Sequence, residues 1–167
     1  MAEDGFDALG TMASLSSQAR VGDVTAWLLR DEAVTYERAG DKRSLTEELT
    51  ERSFRLAVRV VDFFESAPSS PAISTIRFQL LKSATSVGAN YRAVCRAESD
   101  REFYSKLCIV VEEADETVYW LQLLAAANLT VDKAEVDRLL SEASGLSNVF
   151  AKSRATMRKR LQTRKTQ

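Results

Sequence analysis

The sequence predicts an all-α protein, an antiparallel up-and-down four-helix bundle with an N-terminal extension. Four successive segments repeat apolar side chains every three or four positions, the breaks between them are short and polar, and the 167 residues include only six Gly and two Pro. Short connections force consecutive helices to lie side by side, which gives the up-and-down arrangement. A chain of this length holds one domain with a proper core and an appendage. The boundaries read as an acidic arm over 1–43, a bundle over 44–163 and a basic tail end over 164–167.

Residues 1–22, rich in Ser, Ala and Gly, show no sustained period and read as a flexible arm. A short helix over 23–38 follows, capped by Asp23, with Val24, Trp27, Leu28 and Val34 on roughly one side. It is too short to stand alone, so Trp27-Leu28-Leu29 needs a surface on which to dock. The first bundle helix opens with Ser44-Leu45-Thr46-Glu47, a capping box, and runs to about Ser66, burying Leu49, Ser53, Leu56, Val60 and Phe64. After the Ser- and Pro-rich turn, Pro71 suits the first position of the second helix, about 71–95. Its apolar stripe is Ile73, Ile76, Leu80, Ala84, Val87, Tyr91 and Val94.

Ser99-Asp100-Arg101-Glu102 repeats the capping box and opens the third helix, striped by Phe103, Leu107, Val110, Ala114, Val118, Leu121 and Ala125 and ended by Asn128. The fourth helix starts near Asp132 and uses Val136, Leu139, Leu140, Ala143, Leu146, Phe150, Met157 and Leu161 before fading into a basic end.

Twenty-three basic and 24 acidic residues give a net charge of -1, so the molecule is not a bulk polycation. The charge is unevenly spread. Residues 1–50 carry five basic and ten acidic residues, whereas 151–167 carry seven basic and no acidic ones. Cys95 and Cys108 sit inside helical patterns and read as reduced thiols. With no membrane-length apolar run and an acidic opening unlike a signal peptide, the cytoplasm is the expected compartment and no membrane partner is expected. The chain contains no His, which excludes imidazole metal sites and Ser-His or Cys-His nucleophiles for the chain acting alone. No phosphate-cradling Gly motif is present. No cofactor, metal or catalytic residue is assigned, and the protein is not expected to be an enzyme.

The segment from Gln79 through Arg92, QLLKSATSVGANYR, followed by Glu102-Phe103-Tyr104-Ser105-Lys106-Leu107 and by Glu113 through Leu121, EADETVYWL, resembles a bacterial four-helix-bundle family. That family includes proteins encoded in intervening sequences of large-subunit ribosomal RNA genes and the accessory variability determinant of diversity-generating retroelements. The resemblance covers roughly Leu45 to Leu161. It implies a bundle that assembles, typically as a ring of five, with nucleic-acid association in several members. Here Arg92-Ala93 stands where other branches have Ala-Glu-Gly, and the strongly basic charge of the retroelement protein is lacking. Both departures weigh against a reverse-transcriptase partnership.

On a helical wheel Gln79, Ser83, Ser86 and Asn90 form a polar stripe roughly 90° from the apolar centre of the second helix. A buried network fixing packing register is the preferred reading over a ligand site. Small Ser83, Ala84 and Gly88 would allow close helix approach. Phe78, Lys82, Arg92 and Arg96 lie outward. Lys82, Arg92 and Arg96, with Arg154, Arg158, Lys159, Arg160, Arg164 and Lys165 of the basic end, form the candidate nucleic-acid-binding set, against a solvated face or a solubilising tail as the plainer readings.

The third helix has surplus apolar side chains, Ile109, Tyr119, Trp120 and Leu123, which point to a self-association interface. Its acidic group, Glu112, Glu113, Asp115 and Glu116, lacks the Glu-x-x-His partners of a carboxylate-bridged metal pair and reads as a solvated or interfacial face. The expected function is a non-enzymatic homo-oligomeric scaffold or adaptor that engages RNA, DNA or a ribonucleoprotein through basic surfaces. The alternative is a protein-interaction module that docks a partner through Trp27, Leu28 and Leu29.

Overall fold

The computed structural model describes residues 45–164. These form four α-helices and no strand: α1 (Leu45–Ser66), α2 (Pro71–Val94), α3 (Asp100–Ala126) and α4 (Lys133–Thr163). The expected arm with its helix over 23–38, the docking residues Trp27, Leu28 and Leu29, the Ser44 cap and Lys165 lie outside the described residues.

The starts of α2, α3 and α4 are each set by a side-chain oxygen that accepts an otherwise free backbone N–H. Ser70 accepts from Ile73 N, with Pro71 at the first helical position, and Asp132 accepts from Glu135 N. At α3, Ser99 Oγ accepts from Glu102 N at 3.2 Å, while the Glu102 carboxylate accepts from Glu98 N at 2.9 Å. The expected box is thus present, closed one residue further out.

The end of α3 differs from expectation. The helix stops at Ala126, and Ala127 is extended at φ -71° and ψ 145°, so Asn128 does not end it. The free carbonyls are satisfied by an incoming ammonium. Lys133 Nζ donates to Leu124 O at 2.7 Å, Ala125 O at 3.1 Å and Ala127 O at 2.6 Å. A cation is favoured there both by hydrogen bonding and by the helix dipole.

Packing follows chain order, α1 on α2, α2 on α3, α3 on α4, and α4 closing thinly on α1. All seven stripe residues of α2 are buried, and they meet Leu56, Val60, Leu107, Leu121, Leu139, Leu146 and Phe150 in one core. The Tyr91 and Phe150 rings lie 5.0 Å apart across it. Gly88 lets α2 approach the α1 backbone, since a Cβ there would sit 3.6 Å from the Ser53 carbonyl. The thin α1–α4 seam is held by charge. Arg52 Nε reaches Glu142 at 2.9 Å and Arg59 Nη2 reaches Glu135 at 2.7 Å.

The buried hydroxyls Ser53, Ser83, Thr117 and Ser153 each donate to a carbonyl three or four residues back on their own helix. Asn90 likewise donates to Ser86 O at 2.9 Å. Satisfied within α2, Ser83 and Asn90 form no bridge to a neighbouring helix.

Candidate nucleic-acid interface

The up-and-down order brings the end of α2, the start of α3 and the end of α4 to one end of the bundle. With 31 residues against 27 in α3, α4 is long enough for its last turns to reach past that corner. They are fastened there by Asp100, the first residue of α3. Its half-buried carboxylate accepts Arg160 Nε at 3.2 Å and also pairs with the Arg164 guanidinium. One negative charge between two positive ones leaves the cluster cationic, and it fixes the direction in which α4 leaves the bundle.

Around this fastening, Arg158 and Lys159 are exposed and Arg154 half-buried. Lys152 is exposed one turn earlier on α4. None of these four has an ion-pair partner among the described residues. Arg96, exposed in the α2–α3 link, adds a further free cation. So does Arg101, which sequence reasoning missed: it sits inside the capping box, and there the pattern was informative only about the cap. The candidate set therefore divides. Arg96, Arg154, Arg158 and Lys159 are free at this end, while Arg160 and Arg164 are engaged by Asp100. Arg92 stacks its guanidinium 5.4 Å over the Phe54 ring at the α1–α2 seam. Lys82 lies further along α2, close enough to Glu113 to favour that carboxylate's ionised form.

The apolar surface has the opposite distribution. The large hydrophobic side chains left exposed are Phe54, Val58 and Val61 on α1, Phe78 on α2, and Ile109, Tyr119 and Leu123 on α3, with none on α4 among the described residues. Three of the four residues expected to form an interface on α3 are thus exposed. Trp120 is half-buried against the core, its indole N–H donating to Glu116 at 3.0 Å and its ring meeting Tyr119 edge-on at 4.9 Å. The α1 row was not anticipated, although Phe54, Val58 and Val61 stand at the i, i+4 and i+7 spacing that would have revealed it.

Between the apolar ends of the α3 face lie Glu112, Glu113 and Glu116. Burial pushes the Glu113 carboxyl above its usual range, Glu116 and Glu112 push the same way, and Lys82 opposes them. Elsewhere, burial also raises the Tyr91 phenol and the Cys95 thiol, and both cysteines are free. Among the described residues no three ligating side chains come together to hold a metal ion, and no helix is long and apolar enough to cross a membrane.

The sequence pattern of the 23S rRNA-intervening sequence protein family matches residues 46–152. The chain belongs to this family. A crystal structure of a protein of unknown function from the S23 ribosomal protein family of Bacteroides thetaiotaomicron is similar to it, with 26% sequence identity and a TM-score of 0.55. The similarity covers 64% of this chain and 97% of that one. No curated protein matches the chain. The family match takes in α1 to α3 and the first two thirds of α4, and it ends at Lys152. Arg154, Arg158, Lys159, Arg160 and Arg164 lie beyond it.

Proposed function

We propose that this family member is a non-enzymatic, self-assembling helical scaffold of the cytoplasm that engages RNA through the basic end of its bundle. The observation that carries the reading is the division of the surface. Free cations gather where α4 passes the α2–α3 corner, and α4 bears none of the exposed large hydrophobic side chains found on the other three helices. A surface rich in unpaired Arg and Lys and poor in exposed apolar groups suits the phosphate backbone. Contacts of that kind give affinity that depends on salt and not on sequence. Membership of a family named for ribosomal RNA intervening sequences favours RNA over DNA. The apolar surface of α1 to α3 supports self-assembly, with the ring of five implied by the family resemblance as its expected form.

Fluorescence anisotropy of a labelled structured RNA, titrated with the full chain across a salt series, tests the RNA half. Wild-type protein is expected to bind with a log–log salt slope that becomes shallower by up to about 2.1–2.7 in the Arg154→Ala/Arg158→Ala/Lys159→Ala variant, because each lost phosphate contact removes about 0.7–0.9. Absence of binding at low salt, or an unchanged slope in the variant, would overturn the assignment.

A further inference from the structure

We propose that Asp100 is a built-in competitor of RNA: in the free protein its carboxylate holds the Arg160 and Arg164 guanidiniums, and phosphates of a bound strand take them over. This rests on the RNA reading above and assigns the regulation of that same site.

The last fully buried side chain of α4 is Met157. After it one apolar side chain, half-buried Leu161, remains among the described residues, so the end of the helix is held to the bundle chiefly by charge. Both arginines meet one atom. Asp100 Oδ2 accepts Arg160 Nε at 3.2 Å and also pairs with the Arg164 guanidinium. The two arginines stand one turn apart on α4, with Arg158 and Lys159 exposed beside them. A carboxylate and a phosphodiester offer a guanidinium the same kind of target, an anion whose oxygens the planar fork can grip. Asp100 therefore fills the place between Arg160 and Arg164 that suits a phosphate.

Exchange is favoured from both sides. The Arg164 side chain is 61% exposed, and an ion pair so open to water gains little from its partner. When the arginines leave, Asp100 keeps a favourable position, because it lies in the first turn of α3, where the helix dipole suits a negative charge. Glu102, the other acid of that turn, is engaged by Lys106 and by the Glu98 N–H, so it does not take over the arginines. A strand, unlike a single carboxylate, offers each arginine its own phosphate and releases the cations condensed on it. The clasp lowers the affinity of any anion for this pair by the same factor, and a polyanion regains that factor through counterion release.

The test titrates full-length variants against the same labelled RNA. Asp100→Asn removes the carboxylate's charge and keeps its shape. Glu98→Gln makes the same change in net charge at the same end of the bundle, on an exposed residue with no ion-pair partner among those described, and leaves the clasp intact. Asp100→Asn is expected to bind about 2- to 30-fold more tightly than Glu98→Gln at low salt, the factor that two ion pairs of ordinary surface strength impose. Arg160→Ala/Arg164→Ala is expected to make the log–log salt slope shallower by up to about 1.4–1.8, at about 0.7–0.9 for each lost phosphate contact. Combined with Asp100→Asn, it is expected to abolish the gain. Wild-type binding with no gain from Asp100→Asn over Glu98→Gln, a gain that survives loss of both arginines, or an unchanged slope in the arginine variant overturns the competition and leaves the RNA reading standing. Absence of wild-type binding at low salt overturns both. Should Asp100→Asn lose its helical circular dichroism, Asp100→Ser takes its place in the same comparison.

Discussion

Glu113 shows how a single side chain on this bundle sits between folding and surface function. One of its carboxylate oxygens is shut away without a hydrogen bond, and burial raises its pKa. A carboxyl that holds its proton more firmly folded than unfolded makes the ionised form a cost to folding. That cost is present at neutral pH and disappears as pH falls below the ordinary carboxylate range. Glu113→Gln is therefore expected to raise the melting temperature at pH 7, with the gain shrinking toward zero near about pH 4. A melting temperature lowered at pH 7 would mean that attraction from Lys82 outweighs burial. Residue chemistry of this kind was only partly legible in the sequence. The acidic group was visible as a solvated or interfacial face, but the enclosure of one oxygen depends on α2 passing beside it. The same holds for Arg160 and Arg164. A count of charges along the chain cannot reveal that both are engaged by Asp100, 64 residues from Arg164.

At the scale of the helices, the periodic signals were dependable where one stripe faces one core. Every position of the predicted α2 stripe is buried, and the Ser99 cap and the Pro71 start stand where local chemistry puts them. The signal fell short on α1. Two apolar rows of the same period lie on that helix, and periodicity alone does not tell which one is covered. It fell short again at the end of α3, where Lys133 returns across the connection to cap the final carbonyls. That contact is unrelated to any pattern within α3 itself. Replacing Lys133 by Met is expected to cost about 1–2 kcal/mol, because it removes charge-assisted hydrogen bonds from the last carbonyls of α3, of which Ala127 O alone keeps one from Leu129 N. Replacing Lys106, whose pair with Glu102 is an exposed one-turn bridge, is expected to cost clearly less. Urea unfolding of the two variants checks this, and equal losses would remove the special role given to Lys133.

Across the whole molecule, the bundle separates its surfaces. Helices α1 to α3 expose the apolar side chains suited to meeting another copy, while α4 carries free cations on its last turns, beyond the residues that the family pattern matches. The up-and-down fold was legible because four amphipathic segments joined by short links have few other ways to pack. The partition of its surface was not legible, since it depends on which helices become neighbours and which ion pairs form between them. If assembly and RNA binding use separate surfaces, one copy performs both at once. Light scattering of full-length protein, before and after addition of a structured RNA at low salt, tests this most directly. The expected result is an assembly at a whole-number multiple of 18.6 kDa that gains the mass of the RNA and loses no subunits. A single-chain mass before addition, or an assembly that the RNA disperses, would contradict it.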